Sequence, residues 1–105
     1  MAQALPTNWR DTQLEGPIAV PTSPADIVTG SGIYLEAVYF VGGGSDSVVT
    51  VSDKAGSPMS LYKDTISANS SQGGPVGGPW PAEGGISWVA TASGVTGFIK
   101  YKRTT

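Results

Sequence analysis

The sequence contains no cysteine and no histidine. Their absence excludes thiolate nucleophiles, disulfides, Cys/His zinc sites and an imidazole general base. Charged residues are also scarce, at 13% of 105 residues with a formal net charge of −2. The chain therefore lacks the positive charge with which a protein neutralises many phosphates. We predict that it is not an enzyme, needs no cofactor and binds no nucleic acid.

Long apolar runs are missing as well. No stretch approaches the ~20 consecutive apolar residues that a membrane-spanning helix needs. The first residues, MAQALPTNWRDTQLEGP, lack the basic start and apolar core of a signal peptide. We expect a soluble protein made in a cytoplasm, with no membrane partner. The length is that of one ordinary domain.

Glycine and proline, by contrast, are abundant. The 15 glycines and 8 prolines interrupt the chain so often that helices of ordinary length have almost no place to form. The best strand is Ile33 to Val41, IYLEAVYFV, which alternation divides into two largely apolar faces. Such a strand is predicted to be central and covered on both sides. One face would carry Ile33, Leu35, Ala37, Tyr39 and Val41.

Turn signals between short strands predict two hairpins. Val48–Ser52 and Pro58–Tyr62 flank a turn of Asp53 to Gly56, in which Asp53 can accept hydrogen bonds from its own turn. Ile86–Ala92 and Val95–Lys102 are joined by Ser93 and Gly94. The intervening Gly73–Gly85, GGPVGGPWPAEGG, is interpreted as a long surface loop. Together these signals predict an all-β fold, an antiparallel β-sandwich of jelly-roll-like form or a small barrel.

The N-terminal region differs from the rest because its prolines and apolar residues follow no sustained period. We predict an extended arm at residues 1–25 and a sandwich at residues 26–105. A small core without disulfides or metal yields only about 3–5 kcal/mol, so homo-oligomerisation is the expected source of further stability. The residues expected to contact a partner are Leu5, Trp9, Leu14, Ile18 and Val20 in the arm, together with Trp80.

The acidic residues do not form a recognisable site. Asp46, Asp53 and Asp64 lack the alternating spacing and closing Glu of an EF-hand, and are interpreted as turn residues. Glu36 and Glu83 could be imagined as the carboxylate pair of a glycosidase. Nothing in the sequence sets their separation, and a cross-strand pairing of Glu36 with Lys or Arg is the simpler interpretation. No metal site is predicted.

Trp80 is the most unusual aromatic residue because prolines flank it on both sides, as Pro79 and Pro81. These prolines favour an extended backbone that presents the indole from a loop. Three roles stay open for Trp80. It could anchor a protein interface, stack on a sugar ring together with Tyr62, or fold back as a lid over one end of its own sandwich.

The run GIYLEAVYFVGGGSDSVVTVSDKAG, followed by ISANSS, GGISW and SGVTGFIKYKR, resembles small structural proteins of tailed bacteriophages. The resemblance implies an all-β virion component: a capsid decoration (cement) protein, or a head or tail accessory subunit. It further implies a symmetric oligomer, with a trimer favoured, bound to the major capsid protein. The alternative is a carbohydrate- or receptor-binding module of a phage tail or fibre.

Overall fold

The computed structural model describes residues 13–56 and 58–104, and these residues form eight β-strands. The strands make two four-stranded sheets that pack face to face. The first sheet has the order β1-β8-β3-β6, and the second has the order β2-β7-β4-β5. The strands are β1 (Gln13–Ala19), β2 (Ala25–Thr29), β3 (Ile33–Val41), β4 (Ser47–Asp53), β5 (Ser60–Ile66), β6 (Ser71–Pro81), β7 (Gly85–Ala90) and β8 (Thr96–Arg103).

The strand pairing is that of a jelly roll. The first strand pairs with the eighth, the second with the seventh, the third with the sixth and the fourth with the fifth, all antiparallel. The chain thus forms one long folded hairpin that wraps into a double-sheet sandwich. The predicted antiparallel sandwich of jelly-roll-like form is confirmed, and so is the hairpin of β4 and β5.

The core lies between the sheets and is built from alternate residues of the strands. In β4, Val49 and Val51 are fully buried. Alternate residues of the last two strands are buried in the same way: Ile86, Trp88 and Ala90 in β7, and Ile99 and Tyr101 in β8. At the centre, the rings of Phe40 and Trp88 meet with centroids 5.7 Å apart and planes tilted by 52°. Burying such large rings contributes much of the apolar driving force of a small sandwich.

The face prediction for β3 is wrong beyond Glu36. Ile33 and Leu35 are buried as predicted, but a register shift lies between Leu35 and Ala37. An extra residue in a strand exchanges the two faces for every residue that follows. Val38 and Phe40 therefore enter the core, while Tyr39 and Val41 reach solvent and Ala37 is 5% exposed. Only one face of this central strand is covered by the second sheet.

The prediction of a surface loop in the Gly/Pro-rich segment is also wrong, because most of this segment forms the edge strand β6. Ala82 N–H donates to Ile33 O (2.9 Å) and Gly42 N–H to Ser70 O (2.7 Å). These bonds show which residues of β3 hydrogen-bond to β6. Pro75 and Pro81 lie opposite the remaining residues of β3, whose backbone groups point away from β6. Proline there removes no hydrogen bond from the ladder, so the strand tolerates it.

The final predicted hairpin is wrong, since β7 and β8 belong to different sheets. A Ser-Gly turn signal marks a reversal but does not distinguish a hairpin from a connection between sheets. The predicted boundary between arm and sandwich at residue 25 also differs from the structure, as the described residues 13–25 show. Residues 13–19 form β1 on the edge of the first sheet. The register break between Glu15 and Ile18 hides its alternation in the sequence.

The tight packing of Gly97 against two core rings gives a test of the fold. A Cβ at Gly97 would lie 2.8 Å from the Phe40 ring and 2.9 Å from the Trp88 ring, whereas nothing lies within 4 Å of one at Gly44. Because an interior this dense cannot absorb a methyl group without strain, Gly97→Ala should lower the free energy of unfolding by about 1–3 kcal/mol. Gly44→Ala should change it by less than about 0.5 kcal/mol. Urea denaturation measures both, and equal effects would contradict this packing.

Candidate interaction surfaces

The acidic side chains of the sandwich are used in structural contacts. Asp53 Oδ1 accepts hydrogen bonds from the backbone N–H groups of Met59 (2.9 Å) and Ala55 (3.3 Å). The predicted turn role of Asp53 is therefore confirmed. Asp46 Oδ1 accepts one from Ala68 N–H (2.8 Å). These bonds satisfy backbone donors in loops.

Residues 13–56 and 58–104 contain no cluster of three or more carboxylates that could hold a metal ion. They contain no helix able to cross a membrane. Glu83 lines a pocket of about 280 Å³ together with Tyr34 and Pro81, and Glu36 is not among the residues that line it. The structure gives this pocket no acid–base pair.

Asp64 joins the edges of the two sheets. It accepts hydrogen bonds from Tyr62 OH (3.1 Å), from Thr65 N–H (2.8 Å) and from Gln72 Nε2. Tyr62 and Asp64 lie in β5, and Gln72 lies in β6, so this network ties the second sheet to the first. The Tyr62 ring stacks on Phe40, with centroids 6.0 Å apart and planes at 20°. Tyr62 therefore packs against the hydrophobic core.

The outer side of the first sheet carries an exposed apolar surface, which we call the aromatic face: Leu14, Tyr39, Val41 and Phe98. The cross-strand pairing shows that these side chains lie on the same side of the sheet. Phe98 pairs with Tyr39, and Leu14 and Ala37 both pair with Lys100. Leu14, Tyr39 and Val41 are 57%, 39% and 50% exposed. Half of the six exposed large apolar side chains among the described residues thus share one sheet face.

One cationic side chain, that of Lys100, contacts the aromatic face. Lys100 Nζ lies over the Tyr39 ring, 5.8 Å from its centroid. An ammonium group in this position is attracted by the ring electrons. On the outer side of the second sheet, the hydroxyl side chains of Thr50, Ser52 and Ser87 lie together with Val48 and Val89, and neither valine is among the exposed large apolar side chains. The two broad sides of the sandwich are chemically distinct.

A second apolar surface lies between the edge strands β5 and β6. We call it the Trp80 groove; it measures about 300 Å³ and is lined by Met59, Ser60, Leu61, Val76 and Trp80. The indole N–H of Trp80 donates to Val76 O (2.7 Å), which folds residues 76–79 back against the ring. With its polar group satisfied within the chain, the indole presents apolar surface. Trp80 is 45% and Met59 65% exposed.

The predicted partner-contact residues lie in different places. Leu5 and Trp9 are outside the described residues. Leu14 belongs to the aromatic face, Ile18 is 40% exposed on the edge strand β1, and Trp80 is in its groove. Val20 is 2% exposed and packs in the core, which leaves almost no side-chain surface for the predicted partner contact.

The exposure of Tyr39, Val41 and Met59 is not predicted from the sequence. Tyr39 and Val41 are predicted to be covered, because a bulge has no clear sequence signal. Met59 has one local signal, which is its position directly after Pro58 at a turn.

No protein-family model matches this sequence, and the search of curated proteins finds no match. Among solved structures, the chain is similar to a subunit of Bacillus endospore appendages, described as a family of disulfide-linked pili. The TM-score is 0.57 at 10% identity, covering 100% of this chain and 98% of that one. At this identity the likeness establishes a shared fold only.

Weaker likenesses exist to two structures of the Tobacco streak virus coat protein. Their TM-scores are 0.47 and 0.46, at 10% and 12% identity, covering 98% of this chain in both cases and 91% and 89% of those chains. These scores are too low to carry an argument. None of the three likenesses is to a protein of a tailed phage.

Two tyrosines give the sandwich a predicted pH dependence. Burial, together with the hydrogen bond to Asp64 and its charge, raises the pKa of Tyr62 from 10.0 to about 12. Burial and then Glu15 raise the pKa of Tyr101. As the pH rises above about 10, the unfolded chain loses these protons first. The free energy of unfolding should therefore be insensitive to both groups below pH 10 and fall between pH 10 and 12.

Tyr62→Phe should make that fall shallower and leave the part due to Tyr101. Urea denaturation at intervals from pH 8 to 12 measures it. An identical slope in the variant would mean that the phenol of Tyr62 titrates alike in the folded and unfolded chain.

Proposed function

We propose that this chain is a non-enzymatic structural subunit of a multi-copy protein assembly. The observation that carries the proposal is the presence of two separate exposed apolar surfaces on one small sandwich. The aromatic face lies on the broad side of the first sheet, and the Trp80 groove lies on the side where β5 and β6 meet. Contiguous exposed apolar surface on a soluble domain marks contact sites. Two such sites on different sides allow each copy to contact two neighbours.

The finer form of the proposal is a decoration protein on the shell of a tailed phage, located in the virion and bound to the major capsid protein. The sequence resemblance supports this assignment, and the fold is compatible with it. A subunit that binds only the assembled lattice raises the free energy needed to pull that lattice apart. A trimer, or another homo-oligomer, belongs to the same proposal.

The contacts in such an assembly cannot be disulfides between copies of this chain. The endospore appendages with the shared fold are disulfide-linked, but this chain has no cysteine. Apolar burial contributes about 25 cal/mol per Å², so aromatic and long aliphatic side chains are the efficient means of adhesion. Met59 and Trp80 in the groove, and Tyr39 and Val41 on the aromatic face, are side chains of this kind.

Removal of residues 1–12 tests the partner role proposed for Leu5 and Trp9. The deletion should stop at residue 12 because β1 begins at Gln13. We expect the truncated chain to unfold in urea cooperatively, as the full chain does, because the sandwich keeps all eight strands. Its occupancy on purified phage particles, measured by mass spectrometry, should fall at least tenfold. Unchanged occupancy would exclude the segment from particle binding.

A carbohydrate-binding module is the competing proposal, and the 45% exposure of Trp80 is the observation that favours it. The stacking platform expected with Tyr62 is not supported, because Tyr62 packs on Phe40. We expect oligosaccharides to leave the tryptophan fluorescence of the full chain unchanged. Trp80→Ala provides the matched control for any response. Saturable quenching that this variant loses would favour the carbohydrate module over the structural subunit.

A further inference from the structure

We infer that the aromatic face is a self-contact, in which two copies pack their first sheets face to face around a two-fold axis. The axis runs along the row formed by Phe98 and Tyr39. The inference rests on the proposed function and adds to it the partner of one surface, namely a second copy of this chain. It is argued from the order of side chains across the sheet.

Three neighbouring cross-strand rows make up the aromatic face. The central row holds Phe98 and Tyr39, with Gly73 at the β6 end. The row on one side holds Leu14, Lys100, Ala37 and Pro75, and the row on the other side holds Ala19, Thr96, Val41 and Ser71. Aromatic rings therefore occupy the middle, with a cationic row on one flank and a hydroxyl row on the other.

A two-fold axis along the central row makes this pattern self-complementary. The rotation places the flank with Lys100 of one copy opposite the flank with Thr96 and Ser71 of the other. Lys100 therefore meets hydroxyl acceptors and avoids the like charge of its counterpart. Val41 faces the Leu14 and Ala37 row in the same way. An isologous contact requires such matching of a patch with itself.

The geometry of the sheet allows the contact. Sheets with apolar outer faces pack about 10 Å apart with strands aligned within about 30°. The first sheet has four strands about 4.8 Å apart, and the five residues of β3 from Ala37 to Val41, at about 3.3 Å each, give the three rows a face of roughly 17 by 19 Å. That area, about 320 Å² per copy, is less than half of the ~800 Å² per partner of a standard interface. The contact is thus expected to be weak in isolation and stronger within a lattice.

The outer side of the second sheet does not offer the same contact. It carries the hydroxyl residues Thr50, Ser52 and Ser87 together with Val48 and Val89, and neither valine is among the exposed large apolar side chains. The Trp80 groove opens between β5 and β6 and remains free when the first sheets are packed together. One copy can therefore bind its twin and a second neighbour simultaneously.

Cysteine substitution tests the contact on a chain that has no other thiol. Tyr39→Cys places a thiol on the axis, so two copies would present thiols within reach of a short bismaleimide that spans the ~10 Å between packed sheets. We expect the cross-linker to yield dimers on a denaturing gel. Thr50→Cys, on the outer side of the second sheet, is the matched control and should stay monomeric. Equal yields from the two variants would overturn the self-contact.

A charge substitution provides the second measurement. Val41→Lys introduces a cation on an exposed position of the aromatic face and should raise the dissociation constant of the dimer at least tenfold in sedimentation equilibrium. Val89→Lys makes the same change on the outer side of the second sheet and should leave it unaltered. Full-length protein that stays monomeric at all concentrations, or a dimer insensitive to Val41→Lys, would overturn the inference.

These outcomes separate the inference from the proposed function. Monomeric protein that still occupies phage particles would remove the self-contact and leave the structural role intact. A dimer that is lost in Val41→Lys but never binds a particle or other assembly would leave the self-contact and remove the decoration role.

Discussion

The register shift at Glu36 is the constraint on which the arrangement of this molecule depends. β3 is central in the first sheet and apolar on both sides, so alternation alone does not decide which residues enter the core. The shift places Val38 and Phe40 inside, where Phe40 packs on Trp88. It also turns Tyr39 and Val41 outward. One local irregularity thereby produces both the centre of the core and the aromatic face.

Much of the fold follows from the sequence because turn chemistry and alternation act locally. The hairpin of β4 and β5 and the turn role of Asp53 are confirmed. The errors share a physical cause, which is that pairing across the sheet decides what local signals leave open. Pro75 and Pro81 read as loop residues, yet they fit an edge strand whose free side needs no donors. Bulges in β1 and β3 conceal which side chains are exposed.

The candidate surfaces were less predictable than the fold, since exposure depends on packing between distant strands. Trp80 was identified because its flanking prolines are unusual in sequence. Val20 was misplaced, because an apolar residue in a proline-rich stretch gives no sign that it enters a core. The aromatic face combines residues from β1, β3 and β8, which are far apart in the chain, and only the jelly-roll order brings them together.

The prolines of β6 have a consequence for contacts between copies of this chain. An unpaired sheet edge normally templates the addition of foreign strands, which leads toward fibrous aggregation. Along the longest edge of this sandwich, Pro75 and Pro81 lack the amide hydrogens that such templating would recruit. The addition of a further strand at that edge is therefore disfavoured, because part of its backbone offers no hydrogen-bond donor.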